Sequence, residues 1–276
     1  MQIRPCFDLA LAYPQWQGSG RPENLARGAE ATAAVCGRFA PLRRISMADA
    51  DEAQDGVNRW RAIEEQFRSA QDILRETKPK RLLTAGGDCA VDIAVIDYLL
   101  RLYPDLTVIW VDAHLDANTP ATSPSGNFHG MPVAAILGSP PAALAPYLGR
   151  PLDPSRFRYF AASVGDQGDW DFQKSRALAW LDAEAIIDGP VHIHFDLDVL
   201  DPGQFPFLAY PDGSLAPQEG IDLVRRIAAS ATLVGLTITE FAPANDSDAA
   251  QGALFIEQLC EAAHSQPSDN LDIAGL

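Results

Sequence analysis

Cysteine is scarce and scattered in this chain. The four residues, Cys6, Cys36, Cys89 and Cys260, form no C-x-x-C pair. That excludes a disulfide-stapled scaffold and a paired-cysteine zinc site, and reduced thiols are the expectation. No apolar run reaches the roughly 18 residues of a membrane-spanning helix. The start, Met1-Gln2-Ile3-Arg4-Pro5-Cys6-Phe7-Asp8, lacks a basic segment leading into an apolar one. A cytoplasmic location is therefore the expectation. Positive charge is also short: 21 Lys and Arg face 37 Asp and Glu, for a net charge of −16. Nucleic acid and anionic membranes are excluded as expected partners. The acidity suits a cationic small molecule only weakly. There is no internal repeat and no low-complexity tract.

What remains is a chain of 276 residues, 47% of them hydrophobic, enough for a proper core. Strands and helices alternate along it. Residues 57–76 place Val57, Trp60, Ile63, Phe67, Ile73 and Leu74 at helical spacing. Further segments follow as strand 81–84, helix 91–103, strand 106–112, helix 129–137 and strands 156–162 and 190–196. Helix 217–231, strand 233–241 and helix 252–263 complete the series. Apolar strands alternating with helices predict an α/β fold whose mostly parallel sheet is covered on both faces. The proline-rich stretch 139–154 reads as a loop or linker. One domain over 1–276 is expected, with a polar, disordered tail after Gln266.

Two strand ends carry the chemistry. The apolar run 106–111 leads into Asp112, His114 and Asp116 at a period of two. On an extended strand those side chains share a face. The second run, 191–200, places His192, His194, Asp196 and Asp198 in the same way. Open parallel sheets collect ligands at the carboxyl ends of their strands. Four buried carboxylates need counter-charge, and they suit two divalent ions better than one. His192 reads as a core histidine. His194 reads either as a core residue or as support for the ligands. Cys89, after Gly86-Gly87-Asp88, is either a buried thiol or a ligand.

Five segments, in order, resemble the arginase (ureohydrolase) family. They are Gly86-Gly87-Asp88-Cys89, Asp112 to Pro120, Ser125 to Gly130, Phe195 to Pro202 and Thr239-Glu240. The resemblance implies a three-layer α/β/α fold, two manganese ions and hydrolysis of a guanidinium C–N bond. It implies that Asp112 and Asp196 bridge the ions, His114 and Asp198 complete one position, and Asp116 with Cys89 the other. The family usually has histidine where Cys89 stands, and a thiolate favours zinc, iron or cobalt over manganese. Glu240 would pair with the guanidinium, and His129 would shuttle a proton. Asn118 and Ser125 would hold a substrate α-carboxylate, and Asp166 an α-amino group. Trimers or hexamers are also implied. Cys89, His194 and residues 205–213 and 241–246 resemble the Nω-hydroxy-L-arginine amidinohydrolase type.

The residues themselves rationalise such a reaction. Two bridged cations lower the pKa of a shared water, Asp116 bonds to it, and the hydroxide attacks a trigonal carbon. His129 protonates the leaving amine, and Glu240 recognises the planar cation. Three readings stay open. One is hydrolysis of L-arginine or Nω-hydroxy-L-arginine. A second is a relative acting on another guanidino or formimino compound. The third is a non-catalytic subunit that has lost the chemistry.

Overall fold

Residues 7–182 and 187–264 are described by the computed structural model, so the tail expected to be disordered lies outside them. Among the described residues eight strands form one sheet: β1 (Leu9–Tyr13), β2 (Leu42–Arg44), β3 (Leu82–Gly86), β4 (Thr107–Val111), β5 (Phe157–Phe160), β6 (Ala179–Trp180), β7 (Pro190–Asp196) and β8 (Thr232–Thr239). All pairings are parallel, in the order β2-β1-β3-β8-β7-β4-β5-β6. The helices are α1 (Pro22–Cys36), α2 (Trp60–Thr77), α3 (Asp92–Leu102), α4 (Pro132–Ile136), α5 (Gln167–Ser175), α6 (Pro217–Ser230) and α7 (Asp246–His264).

Strand alternation divides the apolar residues between two cores. Along β4, Val108 and Trp110 enter one core, and Ile109 and Val111 enter the other. The first core receives α2, α3 and α4; the second receives α1, α6 and α7. This is the three-layer α/β/α arrangement expected. Trp60, Ile63, Phe67 and Leu74 bury one stripe of α2. Each such burial contributes about 1.5–3 kcal/mol.

Some segments differ in detail from the expectation. The segment 129–137 is a 3₁₀ turn, Phe128–Gly130, followed by α4. Pro132 restarts the helix there, because its missing N–H is harmless in a first turn. The last helix begins at Asp246 rather than Gly252, with Asp246 and Asp248 in its first turn, where carboxylates complement the helix dipole. Residues 139–154 join β4 to its sheet neighbour β5. They pack on α3 with Leu144 and Leu152 buried and Gly149 N donating to Asp97 at 2.7 Å.

Candidate active site

Strands β3, β8, β7 and β4 are consecutive in the sheet, so their carboxyl ends meet. Just beyond β3, Gly87 N donates to Tyr13 O at 3.0 Å, and Gly87 O accepts from Glu240 N at 2.8 Å. A Cβ on Gly87 would lie 1.9 Å from Gln15 O, so only glycine allows this approach. Asp88 is fully buried and caps the next turn, accepting from Ala90 N at 3.0 Å and Gly18 N at 2.8 Å. That turn, Cys89–Val91, delivers Cys89 to the meeting point.

β4 ends at Val111, so the acidic residues that follow lie on a loop, not on a strand face. Local bonds aim them instead. Asp112 accepts from Trp110 Nε1 at 2.9 Å and from His114 N at 2.6 Å. His114 Nδ1 lies 3.1 Å from Asp198 Oδ2 and 3.4 Å from Asp112 Oδ1. Asp116 takes a left-handed backbone, φ 49°, which turns its carboxylate back towards the site. On β7 the alternation does hold, and Asp196 ends the strand. Asp196 Oδ1 accepts from Asp198 N at 2.7 Å, and Cys89 Sγ donates to Asp196 Oδ2 at 2.7 Å. Glu240, also left-handed at φ 58°, is fully buried. Its Oε1 lies 3.7 Å from both Cys89 Sγ and His129 Nδ1.

Two donor groups result, sharing Asp112. One is Cys89, Asp112, His194 and Asp196; the other is Asp112, His114 and Asp198. Within each, the donor atoms lie within 4.8 Å of one another. A cavity of about 190 Å³ opens above, lined by Cys89, His114, Asp116, His129, Asp169, Asp198 and Tyr210 among others. Asn118 and Asp166 do not line it. Asn118 Nδ2 donates to Asp166 Oδ2 at 3.1 Å beside it. Ser125 is exposed on the neighbouring loop, its Oγ accepting from Asn127 N at 3.1 Å.

Beneath the site, Asp92 opens α3 and gathers three donors. His192 Nε2 lies at 2.7 Å, His194 Nδ1 at 2.9 Å and Thr237 Oγ1 at 2.6 Å. His192 is thus a buried core histidine, as expected, but only Nε2 has a partner and Nδ1 has none. A Cβ on Gly235 would come 2.3 Å from His192 Nδ1, so glycine makes room for the ring. Sequence reasoning missed Asp92, Asp169, Tyr210 and Asp212, whose Oδ2 lies 3.3 Å from His114 Nε2. The one signal was the atypical 205–213 segment, which carries the last two.

Crowded negative charge dominates the electrostatics. Burial, then the charge of Asp112, pushes Asp198 up to about 7. Burial, then a neighbouring aspartate, also holds Asp116 and Asp196 well above the usual carboxylate range. Burial opposes ionisation of Asp112 too, but hydrogen bonding and charge from His114 outweigh it and lower its pKa. Asp116 Oδ2, Asp198 Oδ1 and Glu240 Oε2 are buried without any hydrogen-bond partner. Unpartnered acceptors around a shared carboxylate fit a pair of divalent cations.

Fold and site together define an α/β protein with a metal-competent acidic centre at the carboxyl edge of a parallel sheet. The model of the Arginase family matches residues 22–264, and the chain belongs to that family. It is 34% identical over 188 residues to arginase-1 of Homo sapiens, covering 58% of each chain. It is 34% identical over 186 residues to an arginase of Eremothecium gossypii, covering 58% of this chain and 46% of that one. The chain spans about half to two thirds of the curated relatives it matches. An Entamoeba histolytica arginase, solved with L-ornithine, superposes with TM-score 0.79 at 18% identity, covering 93% of this chain and 97% of that one. The Bacillus subtilis arginase gives TM-score 0.77 at 22% identity over 95% and 99%. A Clostridium difficile structure described as a putative agmatinase gives 0.65 at 17% identity over 93% and 95%.

Proposed function

We propose that the chain hydrolyses the guanidinium C–N bond of an arginine-like amino acid. The substrate is L-arginine or Nω-hydroxy-L-arginine, and the products are ornithine with urea or hydroxyurea. One observation carries the reading: a fully buried glutamate with an unpartnered oxygen stands beside a histidine, over two donor groups that share an aspartate. Asp112, Asp196, Asp198, Asp116, His114 and Cys89 would hold two divalent ions, manganese by family habit. Such ions supply Lewis acidity and bring a water's pKa towards neutrality.

The chain's own groups supply the rest. Glu240 is the counter-charge for a planar guanidinium, and its burial strengthens charge-assisted bonds. Burial opposes a charged His129, but hydrogen bonding and charge from Glu240 outweigh it and raise its pKa. A histidine at the cavity wall whose pKa is raised in this way can serve as the acid for the leaving amine. Asp116 accepts a hydrogen bond from the attacking water. Asn118, Ser125 and Asp166 are assigned the α-carboxylate and α-amino group. The chain is further proposed to work as a single domain and a homo-oligomer, trimer or hexamer, in the cytoplasm.

A second reading, another guanidino or formimino substrate, is favoured by the 205–213 segment. It sets Tyr210 5.1 Å from the His129 ring, at the cavity. The test is release of urea or hydroxyurea from guanidino compounds, and of formamide from formimino compounds, by protein loaded with manganese, cobalt, nickel or zinc. Release from arginine or its hydroxylated form is expected. No turnover of any compound with any of these metals overturns the reading.

A further inference from the structure

We propose that His194 is a metal ligand through Nε2. It forms with Cys89, Asp112 and Asp196 a position selective for a thiophilic ion such as zinc. The inference deepens the reading above and rests on its two-ion site. Four observations support it. The donor atoms of these four residues lie within 4.8 Å of one another, and Asp116 belongs to neither donor group. His194 is wholly buried, and its Nδ1 meets the Asp92 carboxylate at 2.9 Å. That bond keeps the proton on Nδ1 and leaves the Nε2 lone pair facing the site, as carboxylate-backed histidine ligands do. The indole of Trp110 stacks on the ring at 3.5 Å and 4°, fixing its plane. Asp116 Oδ2, in the same cavity as Cys89, is buried without a partner, so the region carries acceptor capacity that protein donors do not meet.

The donor chemistry separates the two positions. One sulfur, one imidazole and two carboxylates match four-coordinate zinc. The other group, one imidazole and two carboxylates, is harder and accepts manganese. Binding at the first position displaces the thiol proton that Cys89 now gives to Asp196. The rival role for His194 is structural. Its Nε2 also lies 3.3 Å from Thr239 Oγ1, and a core histidine would rest there.

Cobalt titration of the metal-free full chain tests this, because the part of the thiolate–cobalt charge-transfer band that is lost in Cys89→Ser reports the Cys89 position. That part should appear in the unmodified chain and yield to added zinc. His194→Asn keeps an amide donor for Asp92 but removes Nε2. It should need more cobalt by at least the roughly 10–100-fold that loss of a ligand's supporting partner costs. Thr239→Val should titrate like the unmodified chain. No such part of the band, or a His194→Asn titration that matches the parent, overturns the inference. Should His194→Asn fail to fold, X-ray absorption of the one-equivalent zinc form decides. One sulfur at about 2.3 Å with an imidazole is expected, and an all-oxygen shell overturns it. None of these readouts uses a substrate. A lost band beside intact urea release sinks only this assignment, and the reverse sinks only the hydrolase reading.

Discussion

Glu240→Gln removes one negative charge and leaves shape almost unchanged. The residue is fully buried at the end of β8, with Oε2 unpartnered and Oε1 3.7 Å from His129 Nδ1. If it receives the guanidinium, the variant loses a charge-assisted bond of roughly 1.5–3 kcal/mol. At about 1.4 kcal/mol per decade, kcat/KM for arginine or its hydroxylated form should fall about 10–150-fold. Stability should move the other way. The Glu240 charge is among the causes that hold Asp88, Asp196 and Asp198 above the usual carboxylate range, after burial itself. Without it the metal-free chain should melt higher, by about 2–4 °C for each kcal/mol relieved. The limb of the pH–rate profile due to His129 should shift to lower pH, because Glu240 is what raises that group against burial. Steady-state urea release and calorimetric melts of metal-free protein read all three. Unchanged kcat/KM, or a lower melting temperature, would refute the reasoning.

Asp92→Ala leaves His192, His194 and Thr237 without their shared buried acceptor. It should cost about 3–5 kcal/mol in urea denaturation, and a loss under about 1 kcal/mol would mean the rings find other partners. The metal-free chain should lose stability as pH rises. Asp88 and Asp198 sit at about 7 when folded, above an unfolded value of about 3.9. The folded state then holds more protons, so stability is full below about pH 4 and is lost as pH rises through about 7. Melts at pH 5 and pH 8 check the sign. Cys89→His should raise manganese occupancy measured by elemental analysis after dialysis; unchanged occupancy would mean that position 89 is not a ligand.

The central strands were legible because a fully buried parallel strand is rich in apolar and β-branched residues, as Thr107–Val111 and Thr232–Thr239 are. The rim was not. β1 and α1 lie in an N-terminal stretch whose small residues, such as Ala10, Ala12, Ala29 and Ala33, pack closely without a bold pattern. β6 is two exposed residues, Ala179–Trp180, at the sheet edge, too short to show a strand period. The acidic cluster was found for a reason only half right. Alternation aims His192, His194 and Asp196, but Asp112, His114 and Asp116 are aimed by hydrogen bonds and a left-handed turn beyond the strand. Asp92 could not be read as their floor, since its role exists only once α3 crosses under β7 and β8.

The site's cost to the fold separates a working centre from a relic. Asp116 and Glu240 hold positive φ at 49° and 58°, each at about 1–3 kcal/mol. Three carboxylate oxygens are buried without partners, each at about 1–3 kcal/mol. The sum is comparable to the whole net stability of an ordinary domain, about 5–15 kcal/mol. On the proposed reading, bound cations offset part of it by satisfying the Asp116 and Asp198 oxygens, and the substrate guanidinium satisfies that of Glu240. A divalent ion at 100 times its dissociation constant adds about 2.7 kcal/mol per site, about 5–10 °C in a chain of this size. Under the non-catalytic reading nothing need occupy these donors, and Asp116→Asn should then stabilise the chain with or without metal. Under the hydrolase reading, manganese or zinc raises the melting temperature of the unmodified chain and raises that of Asp116→Asn less. A melt indifferent to every divalent ion tried would leave the carboxylates without a use and would favour the relic.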